Sequence, residues 1–421
     1  MPRPQDPAFL AKQHILFSLR HAKYLPTPYQ AEDNNRMTLA YFCLASLAIL
    51  PSSAVSAAGD HATLSALEVM LRPDQIQGFR DWVYEQQMPE GGFRGSDSLA
   101  AAAPAAGQPC ASDRAHVIQT YTALSVLGLL GDDYARLDRT ALKRFLSKCQ
   151  NRDGSFSQFP GCEEPGDPRS TYSAFAVASM LDEWEYLDVD QALAFLECCR
   201  SYEGAYAQRP GLEANAGPTY CAVASYSLAS RLHTLPEPDR LLRWLVHRQV
   251  EPPEPTPSES GSDSDSDSQD RTRDAGGTSP AEPGPPRRGA VAAQEGRSGS
   301  PVHVAGFQGR ANKPTDACYS FWNTAALAIL VPTISPKLTL LDLVDPALDR
   351  AWLLSCQHPV FGGIARERQA PPDVHHTYLS LAALSLGDGT AALNLWPLDP
   401  AWNVPDRVAA RMRTHLWQDS T

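Results

Sequence analysis

Apolar residues recur at helical spacing along most of this chain, and short polar turns interrupt them at near-regular intervals. Asn35 to Leu50 is an almost unbroken apolar run that Pro51 stops. Helical patterns follow at Thr63–Leu71 and Asp74–Gln86, the second ending at the turn Met88-Pro89-Glu90-Gly91-Gly92-Phe93. After an Ala/Pro/Gly stretch from Ser96 to Ala111, expected to be a surface loop, helices are predicted over Asp113–Leu130 and Asp138–Cys149. Further helices are predicted at Arg169–Leu181, Val189–Cys199, Gly217–Leu232, Pro238–Arg248, Asp316–Leu330 and Pro346–Cys356. A last clear one opens at Val374-His375-His376-Thr377-Tyr378.

These elements form an internal repeat. A helix ends near Cys-Gln or Gln-Gln, a glycine turn follows, and a second helix starts at a small or Tyr-rich stretch. Phe93 and Phe156 are 63 residues apart, Phe156 and Tyr206 are 50, and Phe307 and Ile364 are 57. Helical hairpins that cannot bury a face alone must stack on one another. Periodicity alone fits an open solenoid and a closed α/α barrel equally well. Most of the glycine turns read as helix C-caps.

The segment from Glu251 to about Val304 breaks the repeat. It carries alternating Ser and Asp, then Pro- and Gly-rich sequence, with too few apolar residues to pack, and is expected to be a disordered insertion at 251–304 within a single domain spanning 1–421. A phosphorylated regulatory segment is the alternative to an inert loop. The chain of 421 residues has 43% hydrophobic content and a net charge of −12. No basic block of the kind nucleic acid needs is present, so no nucleic-acid partner is expected. The N-terminus lacks an apolar signal-peptide core, and apolar runs such as Leu39 to Leu50 are too short to span a bilayer. Nine scattered cysteines read as reduced thiols, which suits a cytoplasmic protein.

The densest chemistry lies in Gly306-Phe307-Gln308-Gly309-Arg310-Ala311-Asn312-Lys313-Pro314-Thr315-Asp316-Ala317-Cys318-Tyr319-Ser320-Phe321-Trp322. On a helix, residues two apart point to nearly opposite sides, so Asp316 and Cys318 can share a metal only where a loop runs into a helix. Asp316 suits that junction as an N-cap. A thiol in the first helical turn is expected to gain thiolate character from the helix dipole. Arg310 and Lys313 lie just upstream, where they can bind an anion. A metal thiolate beside an anion site suggests a sulfur nucleophile attacking a substrate with an anionic leaving group.

This seventeen-residue string closely resembles the motif of the β subunits of protein prenyltransferases, and its wording is most like type I geranylgeranyltransferase. The resemblance runs from about Asn35 to about Leu386, apart from the insertion. It implies closure into an all-α barrel of six helical hairpins, a prenyltransferase-like toroid. It implies transfer of geranylgeranyl from its diphosphate to the cysteine of a C-terminal Cys-a-a-X motif, often ending in Leu, on proteins such as Rho-type small GTPases. It implies a heterodimer with a helical α subunit. His376, directly before Thr-Tyr, matches the third metal ligand, so Asp316, Cys318 and His376 would hold one zinc and leave a fourth position for the substrate thiol.

The same resemblance assigns the remaining residues. Arg310, Lys313 and Tyr319 would stabilise the diphosphate. Asn215, in Glu213-Ala214-Asn215-Ala216-Gly217, replaces the family's histidine in that task. Arg366, ten residues before His376, stands where farnesyl enzymes carry a Mg²⁺-binding carboxylate and type I geranylgeranyl enzymes a lysine, so Mg²⁺ is not expected to be required. Thr38 matches a Trp of farnesyl enzymes, and a small residue there leaves room for a fourth isoprene unit. Tyr121, Tyr172 and Trp322 suit the prenyl wall. His116 and Arg169 match positions that contact the peptide carboxylate through water. The rival readings are a farnesyltransferase or Rab geranylgeranyltransferase β subunit, an α/α-barrel carbohydrate or terpene enzyme, and a non-catalytic binding scaffold. No aspartate-rich motif supports the enzyme of another class.

Overall fold

In the computed structural model the apolar runs fold as α1 (Ala11–Lys23), α2 (Arg36–Ile49), α3 (Ala66–Met70), α4 (Pro73–Glu85), α5 (Val117–Leu129), α6 (Arg139–Cys149), α7 (Pro168–Leu181), α8 (Val189–Cys198), α9 (Ala216–Leu228) and α10 (Pro238–Val246). They continue as α11 (Ala317–Ile334), α12 (Pro346–Ser355), α13 (Val374–Leu386), α14 (Gly389–Leu393) and α15 (Asp406–Leu416). The structure describes residues 7–55, 64–97, 114–162, 164–252 and 304–417, all within one unit. The expected loop therefore lies outside the described residues from 98 onward, as does nearly all of the expected insertion at 251–304.

Two kinds of helix alternate. α2, α5, α7, α9, α11 and α13 are apolar on almost every side, with nearly every residue from Val117 to Leu129 buried. α4, α6, α10 and α15 are amphipathic, α6 for example burying only Ala141, Leu142, Phe145, Leu146 and Cys149. An all-apolar helix must be covered on every side and an amphipathic one on a single face, which sorts the first kind inward and the second outward. Packing follows the ring α2–α5–α7–α9–α11–α13, and α13 packs back on α2. The barrel is closed, as the resemblance implied and the periodicity could not decide.

The outer layer closes through its turns. The turns after α4, α6, α8 and α12 are each pinched by one antiparallel bridge: Gln87 with Phe93, Gln150 with Phe156, Arg200 with Tyr206, and Gln357 with Ile364. Their glycines are not the expected C-caps. They stand several residues beyond the helix ends, in left-handed backbone, against the first turn of a following outer helix. A Cβ on Gly154 would sit 2.1 Å from the Gln191 carbonyl oxygen of α8, and one on Gly362 would sit 2.2 Å from that of Gln13 in α1. The last turn thus abuts the first helix of the chain.

Three further differences from the sequence reading are instructive. α1, α14 and α15 were not expected. α1 and α15 hide short buried stripes among many charges, four residues each (His14, Ile15, Phe17 and Ser18; Val408, Ala409, Met412 and Leu416). α11 extends to 18 residues through Pro332, and by length and composition could cross a membrane. Its surface is instead spent against α9, α10 and α13. Finally, β1 (Gln249–Val250) pairs with β2 (Gly306–Phe307), joining the chain on either side of the 253–303 segment at one short ladder.

One end of the barrel is tied by tyrosines at the same register of successive inner helices. The hydroxyls of Tyr220, Tyr172 and Tyr121 stand in a row, 3.1 and 3.2 Å apart. Each donates its one proton to a backbone carbonyl of the segment before α15: Tyr220 to Pro400, Tyr172 to Ala401 and Tyr121 to Trp402. Tyr41 and Tyr378 both reach the Asn403 carbonyl. On α11 the register holds Phe321, which stacks obliquely on Tyr220. The belt satisfies buried hydroxyls and seats the C-terminal segment in a single way.

Candidate active site

The N-terminal ends of the inner helices, about one turn before the belt tyrosines, carry the chemistry. Five inner helices begin at a polar N-cap: His116 on α5, Asp167 on α7, Asn215 on α9, Asp316 on α11 and Asp373 on α13. Each cap accepts a backbone N–H of the first turn. This local rule brings the ring of polar side chains to one mouth of the barrel.

At the junction of α11 and α13 the caps do more than cap. Asp316 Oδ1 accepts the Cys318 N–H at 2.9 Å and lies 3.2 Å from His376 Nε2. Asp373 Oδ1 accepts the His376 N–H at 2.8 Å, and its Oδ2 lies 2.6 Å from His376 Nδ1. That second contact places the ring proton on Nδ1 and turns Nε2 toward Asp316 and Cys318. Ligand atoms of Cys318, His375 and His376 all lie within 4.8 Å of one another. Of the expected trio, Cys318 and His376 fall in that group together with a neighbour that was not expected, His375, while Asp316 adjoins it through His376 Nε2.

The electrostatics of this cluster call for a cation. Burial, with the Asp316 charge adding, pushes the Cys318 thiol up to about 12. The first-turn position was expected to favour the thiolate, and burial works against it. Burial opposes charge on His376, yet its contacts to Asp316, Asp373 and Cys318 prevail and push it up to about 12. Burial would raise Asp316, but contacts with His376 and Cys318 hold it below its ordinary value. Burial, with the His376 charge adding, pushes His375 down to about 4. A proton on His376 is the positive charge available inside this donor set. A dication would replace it and stabilise the thiolate as well. Two imidazoles, a thiol and a carboxylate are donors suited to zinc.

The expected anion-binding residues lie beside this cluster. Arg366 follows β3 (Ile364–Ala365), which pairs with β4 (Pro372–Asp373) immediately before α13. Its Nε is 3.3 Å from Asp316 Oδ2, with the side chain 55% exposed. Arg310 Nη1 pairs with Glu213 Oε1 at 2.7 Å, a partner the sequence reading did not identify. Lys313 is exposed and makes no ion pair among the described residues. Asn215 accepts the Gly217 N–H through Oδ1 at 3.0 Å, leaving its amide nitrogen 3.5 Å from the Tyr319 hydroxyl.

The residues expected to meet lipid and peptide are distributed around the ring. The Thr38 hydroxyl donates to Gln119 Oε1 at 2.9 Å, joining α2 to α5. Tyr121 and Tyr172 belong to the hydroxyl belt, and Trp322 packs on Tyr220 at 5.3 Å between ring centres. His116 is held at both ring nitrogens, by the Ile118 N–H at 3.1 Å and by Gln158 at 3.2 Å. Arg169 forks onto Asp167 Oδ2 through Nε and Nη2, at 3.1 and 2.6 Å. Asp373 and His375 were missed at the sequence level. An Asp three residues before a candidate ligand, at a helix start, was the signal for the first.

A sequence model of the prenyltransferase alpha-alpha toroid domain matches residues 9–404. The geranylgeranyl transferase type-1 subunit beta of Dictyostelium discoideum is 30% identical over 406 residues, covering 90% of this chain and 97% of its own. That of Arabidopsis thaliana is 27% identical, covering 94% and 89%. The protein farnesyltransferase subunit beta of Schizosaccharomyces pombe is 26% identical, covering 90% and 79%. Among solved structures, Candida albicans protein geranylgeranyltransferase-I complexed with GGPP superimposes with a TM-score of 0.70 over 97% of this chain and 99% of that one, at 22% identity. With its closed ring of six inner helices, this chain belongs to the prenyltransferase α/α-toroid family.

Proposed function

We propose that this chain is the catalytic β subunit of a protein geranylgeranyltransferase type I. It transfers geranylgeranyl from geranylgeranyl diphosphate to the cysteine of C-terminal Cys-a-a-X sequences, many ending in Leu, on proteins such as Rho-type small GTPases. The observation that carries this reading is the convergence of Asp316, Cys318 and His376 beside Arg310, Lys313, Tyr319 and Arg366. Residues 1–421 act as one catalytic domain interrupted at 251–304, in the cytoplasm, paired with a helical α subunit.

Asp316, Cys318 and His376 would hold one zinc ion, with Asp373 fixing the ring of His376. When bound, zinc keeps the substrate thiol anionic at neutral pH. The remaining tasks fall to the chain. Arg310, released from Glu213, and Lys313 meet the diphosphate as its charge grows. The Tyr319 hydroxyl donates to it, with Asn215 holding that hydroxyl from behind. Arg366 supplies a fixed positive charge where a magnesium ion would otherwise sit, so added Mg²⁺ is not required. Thr38, small and tethered to Gln119, leaves the far end of the lipid site open to a fourth isoprene unit, while Tyr121, Tyr172 and Trp322 line its length. His116 and Arg169 orient the peptide carboxylate.

A farnesyltransferase β subunit is the second reading, supported by the 26% identity to a yeast farnesyl enzyme and opposed by the small residue at position 38. Co-expression with an α subunit and competition between geranylgeranyl and farnesyl diphosphates for a Cys-a-a-Leu peptide separates the two. Preferential geranylgeranyl transfer is expected, and preferential farnesyl transfer would overturn the assignment.

A further inference from the structure

We propose that His375 is a fourth protein ligand to the metal in the substrate-free enzyme, closing the coordination position that the substrate thiol later takes. The inference rests on the zinc reading above and extends it to a residue outside the Asp316–Cys318–His376 set.

Three observations point to it. A ring nitrogen of His375 lies within 4.8 Å of both the Cys318 sulfur and a His376 ring nitrogen. Zn–S distances of about 2.3 Å and Zn–N distances of about 2.0 Å put tetrahedral ligand atoms roughly 3.5 Å apart, so these three donors need a contraction on the order of 1 Å, and Asp316, outside the mutually close group, joins through its 3.2 Å approach to His376. Second, neither nitrogen of His375 has a hydrogen-bond partner among the described residues, whereas both nitrogens of His376, His116 and His14 are engaged. His375 is only partly buried, so it is an imidazole without a protein partner among the described residues rather than a buried orphan. Third, the ring is already aimed. It stands edge-on to Phe42 on α2, centres 5.2 Å apart, and perpendicular to His376 at 5.0 Å. Phe42 offers that imidazole no hydrogen-bonding atom, and the polar side chains nearest its nitrogen are those of Cys318 and His376.

The geometry is symmetrical about the junction. Asp316 and Cys318 enter from the cap and second residue of α11, and His375 and His376 from the second and third residues of α13. With all four bound, the zinc is coordinatively saturated and shielded from adventitious ligands. The substrate thiol exchanges with one neutral ligand, the only one of the four whose side chain nothing else holds in place.

The test counts imidazoles. X-ray absorption on the zinc-loaded heterodimer without substrate should fit two imidazole nitrogens, one sulfur and one oxygen. Adding a Cys-a-a-Leu peptide should lower the count to one imidazole and raise sulfur to two. His375→Ala should retain zinc but hold it on the order of tenfold more weakly in chelator competition, and its substrate-free spectrum should fit one imidazole. A single imidazole in the substrate-free wild type, or an unchanged count on adding peptide, would overturn the role of His375 while leaving the zinc site standing. A wild-type heterodimer that binds no zinc would overturn the reading on which it rests. Because the decisive spectra are those of the wild type, a poorly folding variant does not remove the test.

Discussion

The junction of α11 with α13 and that of α5 with α7 are built to the same plan, yet side chains meet across them differently. Both place a polar N-cap at the start of each inner helix, at the same mouth of the barrel. At α5 and α7 the caps finish their work locally. His116 is consumed by the Ile118 N–H and Gln158, and Asp167 by its own first turn and by Arg169 two residues on. At α11 the cap reaches a neighbouring helix: Asp316 Oδ1 both accepts the Cys318 N–H and lies 3.2 Å from His376 on α13, while Asp373 holds the His376 ring within its own first turn. Asp316 meets His376 and Arg366, and Asp373 meets His376. What separates the two junctions is a cap drawn into contact with a donor on the neighbouring inner helix, which is what the proposed metal site requires.

Three experiments, using four substitutions, break or sharpen that contrast, beginning with the largest effect. Cys318→Ala should lose transfer and hold zinc far more weakly, because it removes the sulfur donor from the site. Full zinc by metal analysis in that variant would remove Cys318 from the site. Next, Asp373→Ala and Asp167→Ala should each cost about 1 kcal/mol of stability as lost caps. Only Asp373→Ala should weaken zinc binding, by roughly 10- to 100-fold. Equal zinc affinity in the two variants would mean that the α13 cap is as local as the α7 cap. Third, Thr38→Trp should shift preference toward farnesyl diphosphate, since an indole would fill the space beyond the hydroxyl tethered to Gln119. An unchanged preference in competition assays would free Thr38 of any role in lipid length.

Much of this was legible in the sequence because the physics is local there. Asp316 reads as a cap, Cys318 as a first-turn residue, and the inner helices as apolar runs. What was not legible depends on elements far apart in the chain. The pairing of Arg310 with Glu213 spans two inner helices, and the elevated pKa of Cys318 follows from burial that no local motif reveals. α1 and α15 were missed because their buried stripes are short and embedded in charge. His375 was passed over because adjacent histidines on a helix read as one ligand and a bystander, and only the perpendicular rings bring both to the cluster.

The smallest predicted effect lies behind the site. Asp349 on α12 is buried, and desolvation raises it to about 7 despite the Ser320 hydroxyl it accepts at 2.7 Å. A carboxyl whose folded pKa exceeds its unfolded one costs stability as pH rises from the ordinary carboxylate range through about 7. Thermal unfolding should therefore find Asp349→Asn close to wild type at pH 5 and more stable at pH 8. Parallel curves would show that Asp349 is not strained by its charge.

The central claim is that this barrel mouth holds a zinc-dependent geranylgeranyl transfer site in which Arg366 takes the place of magnesium. It is tested most directly by following label from geranylgeranyl diphosphate to a Cys-a-a-Leu peptide with the purified heterodimer, under separate removal of the two metals. The account predicts that stripping zinc abolishes transfer and that adding zinc back restores it, while chelating Mg²⁺ alone leaves the rate essentially unchanged. A rate that survives zinc removal, or one that collapses when only Mg²⁺ is withdrawn, would contradict it.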